Sequence, residues 1–343
     1  MNIYQFAKIC SVSSMTVSRA FHNAPDISSA TRSRILETAR KYHYRPNILA
    51  RNLATQRSYL IGLVVPNIVQ TFFPYIIRTI ENLVRKAGYN IILCDSEEDG
   101  KLEKEQIRLL IDQHVGGLII IPAAKRKDLH AFKELEHNGI PFVIVDRKLD
   151  GIHSSFIGTN DHRGGFIATQ HLIKLGHQKI LHLRGPKGVS TARERMLGYR
   201  NALAHYAMSF KSNMIIDAGF DEEDGYKTIK SFFKRAKKPT AIFAVNDPVA
   251  IGAMKALEEL KIKIPDDISI VGFADINYAS FLKVPLTTVS QPKQEIGESA
   301  AKIILNEIEG INNKEKVKHR NIILEPKLVV RNSTAKRGVN VEK

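Results

Sequence analysis

The chain reads VSSMTVSR over residues 12–19, and this stretch decides how the first part of the protein folds. Ser13 can accept a free backbone N–H and so begin a helix over Ser14–Phe21. The flanking residues predict two further helices, one over Tyr4–Ile9 and one that Ser28 caps. Two short helices separated by a tight turn, in a basic segment, are typical of a helix-turn-helix.

The second predicted helix presents a polar face. Hydroxyls and backbone amides at the start of a helix suit phosphate oxygens. Arg19, one turn further along, can reach two acceptors on a guanine edge in the major groove. A small helical domain whose face is merely polar is the alternative interpretation of this segment.

The positive charge is concentrated at the two ends of the chain. Lys and Arg number 51 and Asp and Glu 35, which gives a net charge of +16. Residues 1–58 hold nine basic and two acidic side chains, and residues 314–343 hold nine basic and three acidic ones. A basic N-terminal segment on a nearly balanced body predicts a polyanion-binding module joined to a neutral one. We expect the basic tail, 332–343, to be solvated and frayed.

Residues 46–53 predict a helix of about two turns, which Pro46 suits as its first residue. A helix this short is unstable alone in water, so it needs a second copy of itself or DNA as a partner. Leu49, Ala50 and Leu53 form an apolar edge that can insert between base steps of a minor groove. A linker helix with no role in DNA binding is the alternative.

Composition excludes several classes of protein. A length of 343 residues suggests about two domains. The share of hydrophobic residues, 43%, excludes a disordered or collagen-like chain, and two cysteines exclude a disulfide framework. Cys94 lies in an apolar strand and is expected to be a small buried hydrophobic residue.

The start of the chain lacks the apolar region of a signal peptide, and the apolar runs are too short to cross a bilayer. We therefore expect a cytoplasmic protein with no membrane partner. Phosphate-loop, dinucleotide-binding and metal-ligand motifs are missing, so we expect no catalytic residues, cofactor or metal.

From residue 59 onward, short apolar strands alternate with amphipathic helices in two series. This pattern predicts an α/β body of two doubly wound, parallel-sheet lobes, with a ligand crevice at the carboxyl ends of the strands. A site for a sugar or a nucleobase needs an aromatic ring for stacking and carboxylate, amide and guanidinium groups for hydrogen bonds. The crevice candidates in the loops after the strands are Phe72, Phe73, Asp146, Arg147, Asn160, Asp161, Thr191, Arg195, Phe220, Asn246, Asp247 and Asp275. Among these, Asp161 and Asp247 are expected to be helix caps.

Three parts of the sequence together carry a resemblance to a known family. They are the segment from Ala7 to Arg19, the Ser28–Arg32 segment, and the YRPN motif at 44–47 with Ala50, Arg51 and Leu53 after it. With this spacing the chain resembles the lactose-repressor (LacI/GalR) family of bacterial transcription regulators, to about residue 331. One departure is Cys10-Ser11, where the family usually has Ala-Gly. If that turn needs a positive φ, a non-glycine there costs about 1 kcal/mol.

The resemblance implies roles for individual residues. It implies base contacts from Ser14, Met15 and Arg19, and phosphate contacts from Ser13, Thr16, Ser18, His22, Ser28 and Thr31. It implies a minor-groove hinge formed by Asn47, Ala50 and Leu53. It implies effector contacts from Phe73, Asp146, Arg195, Phe220 and Asn246, to which we add Thr191 and Asp275 from the loops. Ala274 stands where the family has a carboxylate, so Asp275 is displaced by one residue.

The resemblance also implies an organisation and a function. We expect a helix-turn-helix DNA-binding domain over 1–45 and a hinge helix with its linker over 46–58. A periplasmic-binding-protein-like effector and dimerisation domain follows over 59–331, with lobe 1 at about 60–161 and 292–321 and lobe 2 at about 162–291 and 323–330. The expected function is a repressor that binds a pseudo-palindromic operator as a homodimer under control of a small-molecule effector, a sugar or related metabolite.

Two other functions fit a two-lobed body. One is a cytoplasmic sugar-binding protein without a DNA role, and the basic helix-turn-helix argues against it. The other is an enzyme with doubly wound domains, such as a sugar kinase or a hydrolase. The sequence contains neither a catalytic nucleophile with its base nor a phosphate loop to support the hypothesis of an enzyme.

Overall fold

The computed structural model describes residues 1–21, 24–45, 58–126, 128–234 and 238–337. The chain forms two compact units, Met1–Tyr59 and Leu60–Lys343. Among the described residues, each helix is too short or too polar to cross a membrane.

The first unit consists of α1 (Ile3–Ile9), α2 (Ser14–Phe21) and α3 (Ser29–Lys41). Ser13 Oγ accepts the backbone N–H of Thr16 at 3.1 Å, and Ser28 Oγ accepts that of Thr31 at 3.2 Å. Both predicted caps are therefore confirmed. Helix α1 begins one residue earlier than predicted, because the side chain of Asn2 accepts a backbone N–H and caps it.

Aromatic side chains hold the three helices together. The rings of Phe6 and Tyr44 stack with centroids 4.0 Å apart, and the edge of Phe21 lies against Tyr44 at 6.0 Å. Val17 from α2 and Ile35 from α3 are fully buried in the same cluster. Each helix therefore contributes apolar area to one core, which compensates for helices too short to be stable alone.

The turn between α1 and α2 carries backbone strain at Ser11, whose φ is +54°. A side chain in this left-handed region costs the folded state about 1–2 kcal/mol. A glycine avoids that cost but makes the unfolded chain more flexible, which costs about 0.4–1 kcal/mol of stability.

We expect Ser11→Gly to raise the free energy of unfolding of this unit by about 0.5–1 kcal/mol, measured by amide hydrogen exchange at Val17 in the full chain. The control is Ser33→Gly, an exposed position inside α3, which should lower it. A loss of stability in both variants would contradict the strain at Ser11.

The second unit alternates strands and helices in two sheets. Its strands are β1 (Leu60–Val65), β2 (Asn90–Asp95), β3 (Gly117–Ile120), β4 (Phe142–Val145), β5 (Ser155–Thr159), β6 (Ile180–Arg184), β7 (Ile215–Asp217), β8 (Ala241–Ala244), β9 (Ser269–Ala274), β10 (Thr287–Ser290), β11 (Asn321–Leu324) and β12 (Lys327–Val329). Its helices are α4 (Phe73–Lys86), α5 (Gly100–Asp112), α6 (His130–His137), α7 (Asp161–Lys174), α8 (Ser190–His205), α9 (Glu222–Phe232), α10 (Asp247–Glu259) and α11 (Lys293–Asn312).

Each sheet has six strands and forms the centre of one lobe. The strand orders are β11-β5-β4-β3-β1-β2 in lobe 1 and β12-β10-β9-β8-β6-β7 in lobe 2. All neighbours are parallel except β10 and β12. The central strands β3, β4 and β8 are buried along their whole length, because helices cover both faces of each sheet. The predicted α/β fold with two doubly wound lobes is confirmed.

The chain passes between the lobes three times, after β5, after β10 and after β11. The last passage was expected near residue 322. In the structure β11 pairs with β5 up to the contact of Leu324 with Thr159, so the chain crosses at Glu325 and Pro326.

The prediction of a frayed tail is wrong for residues 332–337. Ser333 is fully buried; its carbonyl accepts the N–H of Ile270 at 2.8 Å, and its hydroxyl donates to the Ile270 carbonyl at 2.6 Å. The N–H of Arg337 donates to the Leu175 carbonyl at 2.9 Å. Backbone and hydroxyl hydrogen bonds hold this segment on lobe 2, and a count of charges does not detect them.

Candidate functional site

The predicted base-reading residues lie on α2. Met15 is 61% exposed, and Ser14 is half-buried. The guanidinium of Arg19 is half-exposed and forms an ion pair with Asp26 at 2.8 Å. An exposed pair of this kind is worth about 0–1 kcal/mol, so Arg19 can exchange Asp26 for another acceptor at little cost.

The predicted phosphate contacts cluster at the beginnings of α2 and α3. The hydroxyls of Ser13 and Thr16 lie 2.9 Å apart, and Ser28 donates to Thr31 at the same distance. Ser18 is half-buried on α2. Among the described residues of the unit, the exposed cations besides Arg19 are Lys8, Arg34, Arg40, Lys41 and Arg45. Arg40 and Lys41 lie in the last turn of α3. His22 and the hinge residues Asn47, Ala50 and Leu53 lie outside the described residues.

A cleft in the second unit brings together six of the seven predicted effector contacts. It encloses about 420 Å³, including space open to solvent. Its predicted residues are Phe73, Asp146, Thr191, Arg195, Phe220 and Asn246, and it is also lined by Gln70, Phe72, Arg147, Pro248, Ala274 and Gln291. Asp275 is not among them, because its carboxylate binds Arg331 at 2.7 Å. The predicted contact from Asp275 is therefore not supported by its position.

Lobe 1 contributes Arg147 to the cleft. This residue follows β4 and is 4% exposed. Its Nη1 and Nη2 donate to the two carboxylate oxygens of Glu98 at 2.6 and 2.7 Å, and Nη1 also donates to the Pro122 carbonyl at 2.9 Å. The guanidinium carbon lies 5.9 Å from the ring centre of Phe73 and 5.0 Å from that of Phe220. The guanidinium of Arg147 thus lies near one aromatic ring from each lobe, Phe73 of lobe 1 and Phe220 of lobe 2.

Asp146 lies beside Arg147 and is 6% exposed. Its φ is +64°, in the left-handed region that a non-glycine residue rarely adopts. Gln291 Nε2 donates to Thr159 Oγ1 at 3.0 Å and lies 3.4 Å from Asp146 Oδ1. Burial raises the pKa of Asp146, while the nearby guanidinium groups of Arg195 and Arg147 oppose the shift.

Lobe 2 contributes Arg195, which lies on α8 and is 5% exposed. Its Nε donates to Asp161 at 2.7 Å and its Nη1 to the Val245 carbonyl at 2.8 Å. The guanidinium carbon lies 3.7 Å from the ring centre of Phe273. Burial raises the pKa of Asp161 to about 7, although the positive charge of Arg195 opposes the shift.

The interpretation of Asp161 and Asp247 as helix caps is wrong. Asn160 and Asn246 are the capping residues, since their side chains accept the N–H of Arg163 at 3.0 Å and of Val249 at 2.9 Å. The aspartates are the first helical residues, and their carboxylates are buried instead. Asp247 accepts the Thr288 hydroxyl at 2.5 Å and the N–H of Ile276 at 2.9 Å.

The remaining contacts lie on lobe 2 and across the opening between the lobes. Asn246 Nδ2 donates to the carbonyl of Phe220 at 2.7 Å, and Thr191 is buried at the start of α8. Gln70 of lobe 1 donates to Asp221 of lobe 2 at 2.8 Å across the opening. Sequence reasoning missed Gln70 and Gln291, because a glutamine in a loop or at a strand end has no motif that marks it. The arrangement offers aromatic walls, a carboxylate, amides and guanidinium donors to one small ligand.

Comparison with known proteins gives two matching family models. Residues 2–47 match the one described as bacterial regulatory proteins, lacI family. Residues 169–334 match the one described as a periplasmic binding protein-like domain. The chain is also 32% identical over 336 residues to the HTH-type transcriptional repressor PurR of Aliivibrio salmonicida, covering 97% of this chain and 99% of that one.

Solved structures show the same likeness. The lac repressor dimer bound to operator and the anti-inducer ONPF is similar with a TM-score of 0.84 and 26% identity, over 98% of this chain and 99% of that one. A LacI family transcriptional regulator from Enterococcus faecium with bound ribose is similar with a TM-score of 0.72 and 32% identity, over 81% of this chain and 100% of that one.

Proposed function

The chain belongs to the lacI family of bacterial regulatory proteins and is a DNA-binding transcriptional repressor, and we propose that it binds a pseudo-palindromic operator as a homodimer under control of an uncharged sugar in the cleft between its lobes. The observation that carries the choice of ligand is the pairing of charges in the cleft. Arg147 is matched by Glu98 and Arg195 by Asp161. A sugar phosphate would add a net negative charge beside Asp146, whereas hydroxyl groups can donate to Asp146 and accept from both guanidinium groups.

The DNA-binding role is assigned to the first unit. Ser14, Met15 and Arg19 read base edges, with Met15 limited to apolar contacts such as a thymine methyl group. Ser13, Thr16, Ser18, His22, Ser28 and Thr31 bind phosphates. Asn47, Ala50 and Leu53 act at the minor groove. These assignments stay predictions.

The homodimer forms through the second unit. Phe281 is 86% exposed on lobe 2 and precedes Leu282, which lines a groove together with Ile251 and Met254. Charged side chains, among them Lys255, Glu258 and Lys283, line the same groove. An exposed apolar patch of this kind marks a protein interface. A second copy of the chain would cover it and bring two DNA-binding units to the two half-sites of an operator.

The sugar controls DNA binding through the angle between the lobes. Three crossings, at 160, near 291 and at 325–326, act as the hinge, and the contact of Gln70 with Asp221 bridges the opening. A ligand that contacts both lobes favours one angle and shifts the population able to bind DNA. A coupling of about 1–3 kcal/mol between the two sites is typical.

The test is a thermal unfolding panel on the full-length protein. Neutral pentoses and hexoses, D-ribose among them, should include at least one that raises the Tm, since binding to the folded state stabilises it. Ribose 5-phosphate and adenine are the comparison ligands. The same sugar should change operator binding. A Tm increase from the phosphate or the base alone would contradict an uncharged sugar as effector.

A further inference from the structure

The hydrogen bonds of Arg147 show which edge of its guanidinium faces a ligand. Nη1 and Nη2 both donate to Glu98, so the carboxylate holds the guanidinium end-on. Among the residues that the structure describes, Nε of Arg147 is buried and has no hydrogen-bond partner. A buried donor without a partner costs about 1–3 kcal/mol or more when charged, so its position in the cleft indicates an acceptor supplied by the ligand.

The planar guanidinium fixes the geometry of that acceptor. The N–H of Nε and the outer N–H of Nη2 point in parallel from the same edge, and such an edge accepts two oxygens side by side. In a sugar, two neighbouring hydroxyl oxygens have this arrangement. A lone hydroxyl or a single ring oxygen would meet only one of the two donors.

The backbone around Glu98 orients its carboxylate. Glu97 and Glu98 have φ of +50° and +58°, so two consecutive non-glycine residues are in the left-handed region. The N–H of Glu98 donates to the Pro66 carbonyl at 2.7 Å, and its Oε2 accepts the N–H of Ala124 at 2.7 Å. Strain of this kind persists only where surrounding contacts fix it, and it clusters at ligand sites.

Resting on the proposed function, we propose that Glu98 is a positioning residue that turns the Nε–Nη2 edge of Arg147 into the cleft, where it binds two neighbouring hydroxyls of the effector. Glu98 itself does not touch the ligand. It acts by holding Arg147 between Phe73 and Phe220. Specificity for a vicinal diol then depends on the pairing of Glu98 with Arg147.

The test uses D-ribose and its 2-deoxy and 3-deoxy analogues as probes in calorimetric titrations of the full-length protein. On the wild type, loss of one hydroxyl of the diol should weaken binding roughly tenfold or more. Glu98→Gln should weaken D-ribose binding by a similar factor. In this variant the affinity for D-ribose should equal the affinity for the analogue that lacks one hydroxyl of the diol. Glu97→Gln, an exposed neighbour in the same strained loop, is the matched control and should behave as the wild type.

Two results would overturn the proposal. The first is that Glu98→Gln binds D-ribose with wild-type affinity. The second is that Glu98→Gln loses affinity for D-ribose and for both deoxy analogues by the same factor, which is the result expected of a merely structural role.

A second measurement needs no sugar: Nε NMR of Arg147 should show slow rotation about the Nε–Cζ bond in the wild type and fast rotation in Glu98→Gln. Fast rotation in both would also overturn the positioning role. If the wild type binds no sugar yet the NMR difference appears, the proposed effector is wrong and the pairing is retained.

Discussion

Raising the salt concentration from about 50 to about 200 mM should weaken operator binding by roughly 10³- to 10⁵-fold. The reason is release of counterions from DNA when Lys and Arg neutralise phosphates. Residues 1–58 hold nine basic and two acidic side chains, and a dimer brings two such segments to one duplex. Lys8, Arg34 and Arg40, three of the nine basic side chains, are exposed on the DNA-binding unit. The measurement is a titration of an operator selected from random duplexes, at several salt concentrations.

A random duplex of the same length is the control. Its binding should be weaker at every salt concentration and should also fall steeply, since phosphate contacts dominate non-specific binding. An operator affinity that is flat over this range would mean that the unit makes few phosphate contacts. Such a result would contradict the phosphate contacts proposed for the residues at the N-termini of α2 and α3.

The helix-turn-helix could be predicted from sequence because its signals are local. A cap at Ser13 or Ser28 depends on a hydroxyl three residues before the N–H that it accepts, and both caps appear where predicted. A missing glycine at Cys10-Ser11 predicts strain only if the turn needs a positive φ, and Ser11 has a φ of +54°. Cys94, predicted as a small hydrophobe, is 8% exposed on β2.

The cleft could be predicted only in part, because its details depend on partners distant in sequence. The end of β4 identifies Asp146 as a cleft residue, and the resemblance adds Arg195 on α8. Neither shows that Arg147 pairs with Glu98, 49 residues earlier in the chain, or that Asp275 pairs with Arg331. The buried tail at Ser333 is a case of the same kind, since its hydrogen bonds reach back to Ile270.

Arg195→Ala should destabilise the second unit by an amount that grows with pH. In the wild type, burial raises the pKa of Asp161 from 3.8 to about 7, so the folded state holds this proton more tightly than the unfolded chain. The contribution of Asp161 therefore lowers stability as pH rises from about 4 to about 7. Arg195 limits the shift. Without it the pKa rises above 7 and the decline continues into the alkaline range.

The difference in unfolding free energy between wild type and Arg195→Ala should therefore grow above pH 7 by up to about 1.4 kcal/mol per pH unit. A loss independent of pH adds to it, because the hydrogen bond to the Val245 carbonyl and the contact with Phe273 disappear. Urea unfolding at about pH 6, 7.5 and 9 measures both parts. Arg195→Ala should also lose sugar binding at each pH.

Two variants separate the ion pair from its surroundings. Arg193→Ala, on the same helix with a side chain 54% exposed, should change stability by less than about 0.5 kcal/mol at every pH. Adding Asp161→Asn to Arg195→Ala removes the titrating group, so the double variant should lose the alkaline decline. Parallel stability curves for wild type and Arg195→Ala would show that Arg195 does not control the protonation of Asp161. They would leave Arg195 with a role limited to packing and to the ligand.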